Sequence, residues 1–145
     1  MSAWSPHYAK DMELLEKVQS RFTRMFTELK DKNYHERLRH LNLRTLEESR
    51  NRQDLIEVFK MYKEFTKLDI SELIIRDLNA KRTRGHTAKL EKTNCTRDCK
   101  KYFFSHRVVG RRNSLEQETV DAPSTKASKG RLDKLRKIRT NFFMD

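Results

Sequence analysis

Four side chains in this 145-residue chain have the chemistry of zinc ligands, in the order His86, Cys95, Cys99, His106. Thiolate and imidazole fill tetrahedral zinc sites, but the common fingers repeat a close pair of ligands at a second place in the chain. Here Cys95 and Cys99 are separated by three residues, and no second cysteine pair matches them. Reduced thiols and surface imidazoles are the better reading, so no metal is expected. As a nucleophile, either cysteine lacks a base and an orienting group at recognisable spacing. His35-Glu36-Arg37-Leu38-Arg39-His40 superficially resembles a zinc-protease helix. That motif needs histidines four apart, whereas histidines five apart sit about 140° from each other around a helix. No two aspartates are adjacent, which removes the simplest two-metal nucleotidyl-transfer site. Gly85, Gly110 and Gly130 are too dispersed for a phosphate-cradling or dinucleotide loop. The chain is therefore not expected to be an enzyme on its own, and no cofactor is expected.

What remains is charge. The net charge is +12, and it is unevenly placed. Residues 1–75 hold 14 Lys/Arg against 13 Asp/Glu, whereas residues 76–145 hold 19 against 8. A nearly neutral half joined to a strongly basic one suggests a packed platform carrying a polyanion-facing segment. The segment Lys100 to Leu115, Lys-Lys-Tyr-Phe-Phe-Ser-His-Arg-Val-Val-Gly-Arg-Arg-Asn-Ser-Leu, is its centre. Arg82, Arg84, Lys100, Lys101, Arg107, Arg111 and Arg112 are the candidate nucleic-acid contacts, because Arg and Lys on short elements neutralise phosphates. Tyr102 could stack on a base, while at least one of Phe103 and Phe104 belongs in the core. The competing readings are a solvated basic tail and a module that binds an acidic protein.

The elements that position these residues are mostly helices. Leu14, Val18, Phe22, Met25 and Leu29, widened by Leu15 and Phe26, form one helical stripe and predict a helix over 8–30. Tyr34, Leu38 and Leu41 suit a two-turn helix. Thr45-Leu46-Glu47-Glu48 has capping-box form and opens a helix to about Phe65, with Leu55, Val58, Phe59, Tyr62 and Phe65 on its apolar side. The two long helices should fold back as an antiparallel hairpin that buries their stripes together. Ser71 is a candidate cap for a short segment to Leu78. Beyond it, Thr87 to Lys92 and Tyr102 to Phe104 predict a two-stranded β ribbon. A short helix from Ser105 to Leu115 follows. A basic helix then runs from Ser124 to Arg139, with Leu132, Leu135 and Ile138 as its apolar positions. The expected fold is mainly α. A helical thumb-like region spans 1–78, a basic ribbon-and-helix region 79–139 and a frayed tail 140–145.

Apolar residues make up 35% of the chain and charged residues 37%, against about 45–50% and 25% in ordinary domains, so the core must be small. No run approaches the roughly 18 apolar residues of a membrane span, and membrane contact is not expected. Met-Ser-Ala-Trp-Ser-Pro-His is neither a secretory nor a transit leader. With two unpaired-looking cysteines, an intracellular setting, nucleus or cytoplasm, is expected.

A set of short motifs appears in a fixed order. It begins with Trp4-Ser5-Pro6, Leu14-Leu15-Glu16-Lys17-Val18-Gln19, Leu43-x-Thr45-Leu46-Glu47-Glu48, Asp54-Leu55-Ile56 and Arg84-Gly85-His86. It continues with Phe103-Phe104-x-x-Arg107-Val108-Val109, Asn113-Ser114-Leu115, Ala122-Pro123-Ser124 and Lys129-x-Arg131-Leu132-Asp133. Together they resemble the carboxy-terminal end of reverse transcriptases from non-LTR (LINE-type, jockey-like) retrotransposons, over nearly the whole chain. The resemblance implies a truncated piece of an RNA-directed DNA polymerase, without the endonuclease and without the palm that carries the catalytic aspartates. It implies a thumb that holds nucleic acid, RNA or DNA, non-specifically, with the helix from Asp11 to Leu29 as the thumb-like element. It also raises a palm domain from a related element as a partner that could complete a polymerase in trans. Two departures stand out. In similar sequences the position of Arg112 is usually Trp and that of Ser128 usually Phe. Losing a large buried aromatic costs about 3–5 kcal/mol, so the resemblance implies a decaying copy.

Overall fold

The structure, a computed structural model, describes residues 5–68, 70–75, 86–92, 94, 102–139 and 141–144. It is mainly helical, with no strand among the described residues. The helices are α1 (Ala9–Arg24), α2 (Tyr34–His40), α3 (Leu46–Tyr62), α4 (Ile70–Leu73), α5 (Phe104–Asn113), α6 (Gln117–Val120) and α7 (Thr125–Ile138), with a 3-10 turn at Thr27–Leu29.

Local chemistry sets most of the boundaries. Thr45 caps α3, its Oγ1 accepting from the Glu48 N–H at 3.2 Å, and Ser124 caps α7 by accepting from the Ala127 N–H at 3.2 Å. The α2 entry is a reciprocal box. Asn33 Oδ1 accepts from the His35 N–H and Glu36 Oε2 accepts from the Asn33 N–H, each at 3.1 Å. With so few glycines, α2 and α3 end on left-handed Asn42 (φ 51°) and Glu64 (φ 58°). The Leu43 N–H then reaches back to the Leu38 carbonyl, and that of Phe65 to the Lys60 carbonyl, each at 2.8 Å.

The core forms where α3 meets α5 and α7. Ile56, Val58 and Met61 from α3 pack with Val108 and Val109 from α5 and with Leu132 and Leu135 from α7. Ile70, Ile74 and Leu90 close one end. Residues 141–144, expected to fray, fold back instead. Phe143 is 2% exposed inside the same core, and its carbonyl accepts from Asn51 Nδ2 at 2.7 Å. The two expected regions therefore share one core.

Three further expectations are overturned. The first helix stops at Arg24 and does not bury its stripe against α3. Leu14, Val18, Phe22 and Met25 are exposed, and the polar side of α1 is the one that docks. Glu16 accepts hydrogen bonds from the Tyr34 hydroxyl and from the Leu46 N–H. Gln19 Nε2 donates to the Arg44 carbonyl at 2.7 Å. Arg37, almost fully buried, donates to Thr23 Oγ1 at 3.0 Å and Ser20 Oγ at 3.1 Å. This polar interface orients α1 without consuming its stripe.

The second overturned expectation is the ribbon. Tyr102 lies in a turn, Phe103 caps α5 and Phe104 begins it, so Tyr102–Phe104 is not a strand. Segment 87–91 finds other partners. Asn113 Oδ1 accepts from the Leu90 N–H at 2.9 Å, and Asn113 Nδ2 donates to the Leu90 carbonyl at 2.7 Å, as a neighbouring strand would do. The Thr87 N–H donates to Gln117 Oε1 and the Glu91 N–H to the Ile75 carbonyl. The third is Ile138, an expected apolar anchor of α7, which is 79% exposed.

Candidate nucleic-acid interface

Of the seven candidate phosphate contacts, Arg82, Arg84, Lys100 and Lys101 lie outside the described residues. The other three sit on α5, and the fold uses each of them. Arg107 makes a two-pronged pair with Asp54 of α3, Nε to Oδ2 at 2.7 Å and Nη2 to Oδ1 at 3.2 Å, and both side chains are largely buried. A guanidinium fork on a buried carboxylate is a structural clamp between two core helices. Arg111 donates from Nε to the Phe142 carbonyl at 3.2 Å, which helps to hold the returning C-terminal segment.

Arg112 is the furthest from any phosphate role, being 2% exposed. Its guanidinium lies over the Tyr62 ring at 5.4 Å, and its Nη1 is 3.2 Å from Nε2 of the equally buried His86. That same Nε2 is 3.1 Å from the Arg112 carbonyl oxygen. One neutral tautomer cannot both donate to the carbonyl and accept from the guanidinium. Arg112 Nη2 and His86 Nδ1 are buried without a hydrogen-bond partner among the described residues. Burial pushes the Arg112 pKa down to about 10, partly offset by Tyr62 and Asp121, so the group is still a cation at neutral pH. Burial likewise lowers the His86 pKa, reinforced by the Arg112 and Lys89 charges and opposed by the Arg112 carbonyl and Asp121.

Tyr102, the expected base-stacking ring, stacks instead on His7 with centroids 4.1 Å apart. Phe103 is exposed, whereas Phe104 packs on the core. For the zinc grouping, Cys95 and Cys99 lie outside the described residues, and His86 faces a guanidinium, a poor neighbour for a second cation. Among the described residues no cluster of three or more His, Cys, Asp or Glu could hold a metal.

Among the described residues, one basic surface lies on α7. Leu132 and Leu135 turn this helix inward, and Lys126, Lys129, Lys134 and Lys137 therefore emerge on the other side, all exposed. At 100° and 1.5 Å per residue they span roughly 140° of arc and about 16 Å of axis. Asp133, the acidic residue inside this arc, is held by Arg44 at 2.5 Å and by Arg52 at 2.9 Å, so it does not neutralise the lysines. The remaining ion pairs of α7, Arg136 with Glu48 and Arg131 with Glu118, involve its arginines. None of the four lysines has a carboxylate partner among the described residues.

Gly130 lies in the same arc, with nothing within 4 Å of where a Cβ would stand. Lys137 also rims an open cleft of about 460 Å³ between α2 and α7, where Glu48 is taken up by Arg136. Such a face has the charge to hold a polyanion. The signal for it was in the spacing of the lysines, i, i+3, i+8 and i+11, opposite the two leucines. No helix among the described residues is long and apolar enough to cross a membrane. No protein family, curated protein or solved structure gives a match to this chain.

Proposed function

We propose that the chain is a nucleic-acid-holding piece of the thumb-and-tail kind that its resemblance to LINE-type reverse transcriptases implies. It binds RNA or DNA non-specifically through phosphates and extends no primer by itself. The observation that carries this reading is the exposed face of α7, where Lys126, Lys129, Lys134 and Lys137 stand together without carboxylate partners among the described residues. Phosphate contacts position a protein on a duplex and carry no sequence information, so affinity should vary little between sequences of equal length.

A binding titration at several salt concentrations tests the proposal. The logarithm of affinity should fall linearly with the logarithm of salt, with a slope near −0.9 for each phosphate neutralised on B-form DNA. Weak binding that ignores salt would contradict the reading, as would template-dependent incorporation above a contaminant control with magnesium or manganese. In this reading any polymerase activity requires a palm domain supplied in trans.

A further inference from the structure

The polar side of α1 is spent on α2 and on the start of α3, which leaves an amphipathic helix with its apolar side outward. Leu14 is 51% exposed, Val18 64%, Phe22 53% and Met25 76%. Phe22 and Phe26 meet edge to face, with centroids 5.7 Å apart. The exposed parts of these side chains amount to roughly 500 Å², a size that marks interaction sites on small domains. At its C-terminal end the stripe runs into a mixed cleft of about 460 Å³, where Met25, Phe26, Leu29 and Leu41 stand beside Thr27, Glu28 and His40.

The charges around the stripe select what covers it. At 100° per residue, Lys10, Lys17 and Arg21 fall along one edge, Arg24 lies just behind them and the exposed Glu13 behind Arg24. The four cations are exposed, and none has a carboxylate partner among the described residues. The opposite edge, with Tyr8, Leu15 and Gln19, is uncharged. Asp11 lies in line with Val18 and Phe22, near the middle of the stripe at its N-terminal end.

A second copy fits this pattern poorly. An antiparallel pair would bring the Lys17 edge against itself, and a parallel pair would set Asp11 against Asp11. A lipid surface fits poorly too, because the Asp11 carboxylate would enter the apolar layer with the stripe. We infer that this face docks a protein helix whose apolar stripe is flanked on one side by Asp or Glu, in the helix-in-groove mode. Such a helix answers the one-sided basic edge along its length and can offer a cation to Asp11. This inference concerns α1 and is independent of the lysine face on α7.

The test uses the full chain without nucleic acid. The probes are two monomeric, labelled 18-residue helical peptides with the same leucine stripe, one flanked by Glu and the other by Lys, read by fluorescence anisotropy. The Glu peptide should bind at least tenfold more tightly than the Lys peptide, and the difference should shrink as salt rises. Val18→Asp should weaken Glu-peptide binding at least tenfold and leave the thermal midpoint unchanged, because Val18 is outside the core. Equal binding of the two peptides, or full binding to Val18→Asp, would overturn the inference. So would a concentration-dependent dimer, or adsorption to anionic vesicles, that Val18→Asp abolishes.

Discussion

A guanidinium in a small core has to be answered by something, and at Arg112 the answer is incomplete. Tyr62 offers a ring face and His86 one nitrogen, but Nη2 has no partner among the described residues. A buried donor left unmade costs about 1–3 kcal/mol. Arg112→Trp replaces the charge by an apolar ring of similar bulk beside Tyr62, and should raise the unfolding free energy by about 1–3 kcal/mol in a urea titration. Ser128→Phe should do the opposite. Ser128 is 3% exposed on the inward side of α7, and forcing a large ring into a filled site costs about 1–3 kcal/mol. The resemblance treats the two positions alike, whereas the packing separates them.

His86 adds a pH dependence. Its folded pKa is held below the ordinary 6.5, so its neutral form is the one that fits. The contribution is whole above the unfolded pKa near 6.5, and it is lost as pH falls through that value toward the lowered folded one. A plot of unfolding midpoint against pH should drop on that acidic side, and His86→Gln should flatten this part of the drop. An unchanged acid limb would mean that the imidazole is not the group responsible.

At the scale of elements, the Thr45 cap was legible, whereas Ser71, the candidate cap of the next segment, lies inside α4. The apolar positions Leu55, Val58, Leu132 and Leu135 are core. The docking of α1 was not legible, because an apolar stripe announces a partner without naming it. The polar side won the intramolecular contact through Glu16, Gln19, Ser20 and Thr23, each met by a specific donor or acceptor from α2 or the start of α3. The ribbon failed for a related reason. Asn113 closes α5, and its amide meets both the N–H and the carbonyl of Leu90, a pairing no local pattern announces.

Two helix positions carry backbone costs that substitution should relieve. Gly130 is inside α7 with open space around it, so Gly130→Ala should stabilise by about 1 kcal/mol. Glu64 takes the left-handed place at the end of α3, and Glu64→Gly should stabilise by up to about 1 kcal/mol. Thermal melts of both variants check this, and a lower midpoint in either would contradict the local account.

For the whole molecule, the central claim is a division of labour among its cations. Arg107, Arg111 and Arg112, which the sequence alone offered as phosphate contacts, hold the fold together. Lys126, Lys129, Lys134 and Lys137 remain outside. Charge totals could not separate these two groups, because Arg and Lys count alike until a buried carboxylate or a carbonyl claims one of them. Arg107 is claimed by Asp54, and breaking such a buried pair costs about 3–5 kcal/mol, so its loss should lower stability before it says anything about binding. The most direct measurement is the salt dependence of duplex binding, compared between the natural chain and a variant with Lys126, Lys129, Lys134 and Lys137 all changed to Gln. The slope should flatten by about 3 to 4 while the unfolding midpoint holds, because each of these lysines faces solvent. A slope that survives all four substitutions would contradict the account and move the interface off α7.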